Sequence, residues 1–291
     1  MNTNSFSNIQ RIDINSSDFP SRLRDIPDPP RQLFCAGDLS LLNRDSIAVV
    51  GSRKYTVYGK SVAHMLGKRI GECGIPVVSG LAYGIDGFAH QGAVDAGGKI
   101  IGVLGSGLNR MSPRKNYSLM IQGYRQGGLI LSEYEPEEEA KIYTYPQRNR
   151  IISGLAKAVV VVEASLNSGS LITAQHAAEQ GRTVYAVPGN INSQFSIGSN
   201  LLIRDGAVPL VVLDDVIRDI GVDPDVITRA DPMLGADEKR IYAALSRHQG
   251  ATPDLLSADL GMSTASVNSI ITVMEIKGLV ETFAGKIYLA K

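Results

Sequence analysis

The sequence predicts an α/β fold, with a doubly wound parallel sheet and a small C-terminal winged-helix domain. Three observations support this. Short β-branched apolar runs alternate with helical stretches, glycines stand where several of those helices end, and residues 237–291 change to three helices and a hairpin. Strand–helix alternation of this kind is typical of a parallel sheet covered by helices on both faces.

The predicted strands of the large domain are apolar throughout and do not alternate with polar residues, which indicates burial on both faces. They are 47–50, 76–78, 100–104, 129–131, 159–162, 184–187 and 210–213. The predicted helices between them are 57–72, 85–96, 114–125, 148–156, 171–180 and 200–204. Gly74, Gly97 and Gly181 stand where helix C-terminal turns need a left-handed residue.

The chain divides into four predicted segments: a leader at 1–45 that packs on the core, a Rossmann-like domain at 46–218, a linker at 219–236 and a winged-helix domain at 237–291. Within the leader, 32–37 predicts a short edge strand. The winged-helix prediction rests on helices at 239–248, 253–260 and 265–277, followed by a hairpin of 279–283 and 286–289. Ser263 is expected to cap the third helix.

Composition narrows the function classes. With 291 residues and a formal net charge of zero, the chain is long enough for two domains and is not globally basic, so any anion site must be local. Cys35 and Cys73 lie in apolar surroundings and are expected to be buried free thiols. The four histidines are scattered, so no metal site is predicted. No segment is apolar enough to span a membrane or serve as a signal peptide, so a cytoplasmic protein is expected.

Glycine and hydroxyl residues follow several of the predicted strands. Because the carboxyl ends of parallel strands meet at one edge of a sheet, these loops are expected to lie together. They include a Gly-Ser-Arg turn, a glycine-rich loop whose Asp86 falls in the first turn of a helix, and a Ser-Gly-Ser helix start. The residues predicted to bind an anion there are Gly51, Ser52, Arg53, Gly80, Ser106, Asn167, Ser168 and Gly169.

The segment 145–155 places Arg148, Asn149 and Arg150 at a helix start, behind the aromatic Tyr145. Guanidinium groups at a helix start suit phosphate, and a flanking aromatic ring suits a nucleobase. We expect one cleft lined by Arg53, Ser106, Arg148, Arg150 and Ser168. It offers phosphate-binding groups without a convincing base, nucleophile or metal, which favours binding over catalysis. No catalytic residue and no cofactor are predicted.

Taken together, these motifs resemble the DprA/Smf family of DNA-processing proteins. The resemblance rests on VGSR at 50–53, SGLAYGID at 79–86, PQRNRIISGL at 146–155, EASLNSGSLITA at 163–174, AVPG at 186–189 and GSNLLI at 198–203. It implies an extended Rossmann domain that binds single-stranded DNA, delivery of strands to the RecA recombinase during natural transformation, and homodimers. Single-strand-binding protein is a further implied partner.

The resemblance also implies roles for individual residues. Arg53 matches the phosphate clamp, Arg148 and Arg150 match an Arg-Asn-Arg element, and Lys141 is a backbone-contact candidate. Tyr143 and Tyr145 occupy the segment where a base-stacking aromatic is expected. Two positions depart from the family pattern, because Gln147 interrupts Pro-Arg-Asn-Arg and Asn167 stands where lysine is common. The implied dimer interface contains Ile197, Leu201, Leu202 and Ile203.

Two other function classes stay open at this stage. One is a nucleotide-processing enzyme on a Rossmann scaffold, although the Pro-Gly-Gly-x-Gly-Thr type of motif that such enzymes use is missing. The other is a nucleotide-sensing winged-helix regulator. The third C-terminal helix, 265–277, has no arginine and one late lysine, which is poor for reading bases.

Overall fold

The computed structural model describes residues 6, 8–112, 114–224, 235–247, 250–276, 279–283 and 285–289. The chain forms two compact units, Met1–Ile227 and Thr228–Lys291. Most of the predicted linker, residues 225–234, lies outside the described residues. The last residues of two predicted C-terminal helices, His248 and Lys277, lie outside them as well.

The first unit is built on a nine-stranded sheet. Its strands are β1 (Gln10–Asp13), β2 (Gln32–Gly37), β3 (Ile47–Val50), β4 (Val77–Ser79), β5 (Ile100–Leu104), β6 (Leu129–Ser132), β7 (Ala158–Val161), β8 (Thr183–Ala186) and β9 (Val208–Pro209). The order across the sheet is β1-β2-β6-β5-β4-β3-β7-β8-β9. Strands β3 to β9 are parallel, whereas β2 pairs antiparallel with β6 and with β1. The α/β prediction is confirmed.

Helices cover both faces of this sheet. They are α1 (Ser21–Arg24), α2 (Val57–Glu72), α3 (Ile85–Asp95), α4 (Tyr117–Arg125), α5 (Thr144–Leu155), α6 (Gly169–Glu179), α7 (Ile197–Arg204) and α8 (Asp215–Asp219). One core lies under α2, α3, α4 and α8, and the other under α1, α5 and α6. Ile47 and Val49 enter the first core while Ala48 and Val50 enter the second, which explains why the strand is apolar throughout.

Three of the differences from the sequence prediction bear on the sheet edges and on the site. The predicted strand 210–213 is wrong: the strand is Val208–Pro209, and the last bond to β8 is the one that the Leu210 N–H donates to the Ala186 carbonyl at 2.9 Å. Helix α5 begins at Thr144, four residues early, since Pro146 is tolerated in a first turn whose N–H groups have no helical partner. The segment 32–37 is a strand but not an edge, because β1 covers it.

The second unit contains α9 (Ala236–Arg247), α10 (Pro253–Leu260), α11 (Thr264–Ile276) and the antiparallel hairpin of β10 (Val280–Phe283) and β11 (Lys286–Leu289). Gly261 ends α10 in a left-handed conformation, with φ of 64°. The Ser263 hydroxyl accepts a hydrogen bond from the Ser266 N–H at 3.1 Å, so the predicted cap of α11 is confirmed. No helix among the described residues of either unit is both long and apolar enough to cross a membrane.

Candidate nucleic-acid interface

The candidate site lies where the strand order reverses. Strand β3 has β4 on one side and β7 on the other, so the crossovers leave in opposite directions and open a crevice beyond the carboxyl ends of the strands. A cavity of about 500 Å³ occupies this crevice. Its lining consists of Val50, Gly51, Ser52, Arg53, Lys54, Ala82, Asp86, Ile142, Tyr145, Pro146, Arg148, Asn149, Ile152, Ser165, Asn167, Ser168, Gly169, Ser170, Ile172 and Thr173.

The cavity lining is electropositive. It contains three cations, Arg53, Lys54 and Arg148, and one carboxylate, Asp86, which leaves a net charge of two positive units. Arg53 and Lys54 are exposed, and the guanidinium carbon of Arg53 lies 5.3 Å from the centroid of the Tyr145 ring. A guanidinium group held over an aromatic face keeps its donors directed outward. The lining therefore offers a movable cation to an entering phosphate.

The start of α6 adds hydrogen-bond donors to the same cavity. The Ser168 hydroxyl caps the helix, with its oxygen 3.4 Å from the Ser170 N–H and 2.8 Å from the Ser170 hydroxyl. A β-carbon placed on Gly169 would meet no atom within 4 Å, so this turn is open. Free N–H groups and hydroxyls at the N-terminus of a helix of this length form a favourable environment for an anion.

Arg148 reaches the cavity from α5 but is buried, with 4% of its surface exposed. Its Nη1 donates to the carbonyl oxygen of Gly80 at 2.8 Å and to that of Val103. Burial lowers the pKa of Arg148 to about 10, an effect that the nearby Asp86 carboxylate opposes. The guanidinium group thus joins the ends of β4 and β5 and adds positive charge to the floor of the cavity.

Gly80 makes this bridge possible. A β-carbon there would lie 2.6 Å from the guanidinium nitrogens of Arg148. The Gly80 N–H donates to the Asp86 carboxylate at 3.0 Å, so both backbone groups of the glycine are held. Burial raises the pKa of Asp86, and the charge of Arg148 opposes this rise. Asp86 lies in the first turn of α3, as predicted, and orders the loop.

The next residue of the Arg-Asn-Arg element, Asn149, lines the cavity and connects two helices. Its Nδ2 donates to the Gly169 carbonyl oxygen at 3.1 Å, and its Oδ1 accepts from Arg148 Nε at 3.3 Å. The start of α6 is thereby tied to α5. Glu163, buried at the end of β7, accepts from the N–H and the hydroxyl of Thr56 at 2.9 Å and 2.6 Å, which fixes the loop after β3.

Arg150 and Ser106 do not line the cavity, so the predicted five-residue cleft is corrected at these two positions. Arg150 donates to both carboxylate oxygens of Glu133, at 2.7 Å and 2.9 Å, and to Asp28 at 2.9 Å. Two positions after Arg148, its side chain leaves the helix on the other side. Ser106 is fully buried, and its backbone carbonyl oxygen accepts a hydrogen bond from the Ser132 hydroxyl.

Three predicted contacts and two unforeseen ones complete the lining and its rim. Lys141 and Tyr143 are exposed before α5, outside the lining, with the lysine Nζ 5.8 Å from the ring centroid. Tyr145 does line the cavity, and its hydroxyl donates to Ser112 at 3.0 Å. Lys54 and Thr173 were missed by the sequence analysis. Adjacency to Arg53 and one-turn spacing from Ser170 are the signals that point to them.

Comparison with known proteins gives the family. Residues 10–221 match the family described as DNA recombination-mediator protein A, and residues 228–286 match the DprA winged helix domain. The chain belongs to the DprA family. The first match covers the nine-stranded sheet and its helices, and the second covers most of the C-terminal unit.

Individual members of the family are similar to this chain over most of its length. The chain is 42% identical over 213 residues to DNA processing protein DprA of Bacillus subtilis, covering 73% of this chain and 71% of that protein. It is 41% identical to protein Smf of Escherichia coli, covering 72% and 56%. The X-ray structure of Streptococcus pneumoniae DprA matches with a TM-score of 0.68 at 40% identity, covering 74% of this chain and 75% of that one.

A further solved structure, of DNA processing protein A from Helicobacter pylori, describes the single-stranded DNA binding mode of that protein. It matches with a TM-score of 0.67 at 29% identity and covers 75% of this chain and 98% of that one. The shared architecture therefore extends over the sheet unit that contains the cavity.

The two cavity arginines are expected to respond differently to removal. Arg148→Ala leaves the Gly80 and Val103 carbonyls unpaired and Asp86 without its neutralising charge, so the free energy of unfolding should fall by about 3–5 kcal/mol. Arg53→Ala removes an exposed side chain and should change it by less than about 0.5 kcal/mol. Urea unfolding of both variants measures this, and equal effects would contradict the assigned burial.

The stability of the Arg148→Ala variant should also depend on pH. Without Arg148, the pKa of Asp86 should rise further above its ordinary value. A carboxyl group whose pKa is raised in the folded state destabilises that state at pH values where the group must ionise, and this cost disappears at acidic pH, where it is protonated. The stability deficit of Arg148→Ala should therefore be smaller at acidic pH than at pH 7. A deficit independent of pH would show that Asp86 does not sense the guanidinium.

Proposed function

We propose that this protein binds single-stranded DNA as a recombination mediator, protects incoming strands and loads RecA onto them during natural transformation. The observation that supports this most directly is the cavity at the strand switch, where Arg53, Lys54 and Arg148 surround the open N-terminus of α6. Phosphate groups are the ligands that such a set of donors suits. The solved structure of the H. pylori relative describes the binding of single-stranded DNA by that protein.

The size of the cavity favours a single strand over a duplex. A volume of about 500 Å³ is that of a small-molecule site, which admits an unpaired nucleotide but not the stacked pairs of a double helix. Tyr145 supplies an aromatic ring within the lining. The proposed contact set keeps Gly51, Ser52, Arg53, Asn167, Ser168 and Gly169 at the cavity, with Lys141 and Tyr143 beside it.

The lining supports binding more than catalysis. Ser168 and Ser170 hydrogen-bond to each other, and among the described residues of the lining no histidine accompanies them as a base. Across the part of the chain that the structure describes, no group of histidine, cysteine and carboxylate side chains could hold a metal ion. The serine hydroxyls instead serve as hydrogen-bond donors.

Single-strand binding should depend on salt and on Arg53. Affinity for oligothymidylate should fall on a log–log plot with a slope of about −0.7 per phosphate contacted. Arg53→Ala should weaken binding by about 1.5–3 kcal/mol, because a charge-assisted contact is lost. Arg125→Ala, an exposed arginine on α4 outside the lining, is the matched control. Fluorescence anisotropy measures both, and a flat salt titration would exclude the proposed binding mode.

The mediator function requires its own assay. On single strands coated with single-strand-binding protein, addition of this protein should shorten the lag before RecA begins DNA-dependent ATP hydrolysis. Arg53→Ala should restore the lag, whereas Arg125→Ala should not. An unchanged lag with a protein that binds oligothymidylate normally would remove RecA loading from the proposal and leave strand binding in place.

We further propose that the chain forms a twofold homodimer through α7 and the neighbouring sheet edge. Ile197, Leu201, Leu202 and Ile203 are half-buried in the single chain. Beside them the edge strand region exposes Val208, Val211 and Val212, of which Val211 is 77% exposed. Exposed apolar side chains at a sheet edge are typical of a protein interface.

Ile203→Arg should yield a folded monomer, because a charge at the interface has no partner. Affinity for long DNA strands should fall when the dimer is lost, because the two linked sites of a dimer can bind one strand together. Ile191→Arg, at a residue that is 92% exposed in the loop before α7, should leave the dimer intact. Light scattering with a melting curve decides, and a well-folded dimer from Ile203→Arg would exclude this interface.

A further inference from the structure

A second group of side chains with nucleic-acid-binding chemistry lies directly beside the cavity. Three aromatic rings and three lysines form it, and we call it the Tyr83 platform. Its members are Tyr55, Lys60, Tyr83, Phe88 and Lys115, which contact one another, and Lys54, which directly precedes Tyr55 in the chain. Of these, Lys54 alone also lines the cavity.

The rings are held against one another. The Tyr55 ring centroid lies 5.8 Å from that of Tyr83 and 4.8 Å from that of Phe88, and the second pair meets edge to face. The Tyr55 and Tyr83 hydroxyls are 3.2 Å apart, within hydrogen-bond distance. Such contacts restrict ring motion, so less side-chain freedom remains to be lost when a base stacks there. Tyr83 keeps 37% of its surface exposed.

The cations of the platform face the rings. The ammonium nitrogen of Lys115 lies 4.3 Å from the Tyr83 ring centroid, and that of Lys60 lies 5.3 Å from the Phe88 centroid. Among the described residues, no carboxylate forms an ion pair with Lys54, Lys60 or Lys115. Exposed lysines without acidic partners produce a local positive field that attracts phosphate.

Two loops join the platform to the cavity. In the loop after β3, Lys54 lines the cavity and the next residue, Tyr55, belongs to the platform. In the loop after β4, Ala82 lines the cavity and the next residue, Tyr83, belongs to the platform. Asn116 fixes the second loop by donating to the Leu81 and Ala82 carbonyls at 3.1 Å and 2.7 Å. Leu81 has a φ of 52°, so this loop is held in a backbone conformation that L-residues rarely adopt.

We infer that the Tyr83 platform is a second subsite for the same DNA strand, where bases stack on Tyr83 and phosphates contact Lys60 and Lys115 as the strand leaves the cavity. This inference rests on the proposed single-strand binding at the cavity. Alternating rings and cations beside a phosphate site are the arrangement that non-specific single-strand binders use, because every base has a π-face. The platform therefore lengthens the footprint without adding sequence preference.

Oligonucleotide length separates the two subsites. On an oligothymidylate of about 20 nucleotides, Tyr83→Ala combined with Lys115→Ala should weaken binding roughly tenfold, whereas on one of about 4 nucleotides, confined to the cavity, the loss should be under about twofold. Tyr83→Phe should retain affinity because it keeps the ring. Lys68→Ala, an exposed lysine two turns after Lys60 on α2, is the charge-matched control and should bind both strands normally.

Photocrosslinking gives an independent readout. Strands that contain 5-iododeoxyuridine should crosslink to Tyr83, Tyr55 or Phe88 only when they are long enough to leave the cavity. Equal affinity of the double variant and the unmodified chain on the long strand, or crosslinks confined to Tyr145, would overturn the platform. Failure of the unmodified chain to bind either strand would instead overturn the proposed function, so the two failures are distinguishable.

Discussion

The candidate site depends on one buried interaction, the bridge that the Arg148 guanidinium makes between the Gly80 and Val103 carbonyls. These oxygens end the neighbouring strands β4 and β5, where the backbone has left the ladder and still needs partners. Asp86 holds the Gly80 N–H from the other side, and Asn149 continues the contacts to Gly169 at the start of α6. Three loops that would otherwise be independent are therefore fixed relative to one another.

Burial also divides the work between two arginines. If Arg148 moved away, the buried Gly80 and Val103 carbonyls would lose their hydrogen-bond donor, which is energetically costly. Arg148 therefore contributes a fixed charge beneath the cavity. Arg53 is exposed and rests against the Tyr145 ring, so it can turn toward an entering phosphate at low cost. A permanent positive field and a movable bidentate donor are complementary, because the first attracts an anion that the second can then hold.

The sequence predicted the architecture well and the roles of its arginines poorly. Helix α2 has the predicted bounds, and Gly74, Gly97 and Gly181 have the positive φ values that helix ends require, because these features follow from local periodicity and backbone sterics. The partners of the buried arginines are far away in the chain. Arg148 bonds to a carbonyl 68 residues before it, and Arg150 bonds to Asp28, 122 residues before it. No local pattern can tell such arginines from exposed ones.

A chain of zero net charge can still present a cationic cavity because its carboxylates are paired elsewhere. The acidic segment after β6 bonds to cations outside the lining: Glu133 to Arg150, Glu137 to Arg110 and Glu138 to Lys141. Each pair removes one negative charge from the field around the cavity and one positive charge that would otherwise attract anions elsewhere on the surface. Lys54, Lys60 and Lys115 make no such pairs among the described residues. Uncompensated positive charge thus remains where the loops after β3 and β4 meet, although the whole molecule is neutral.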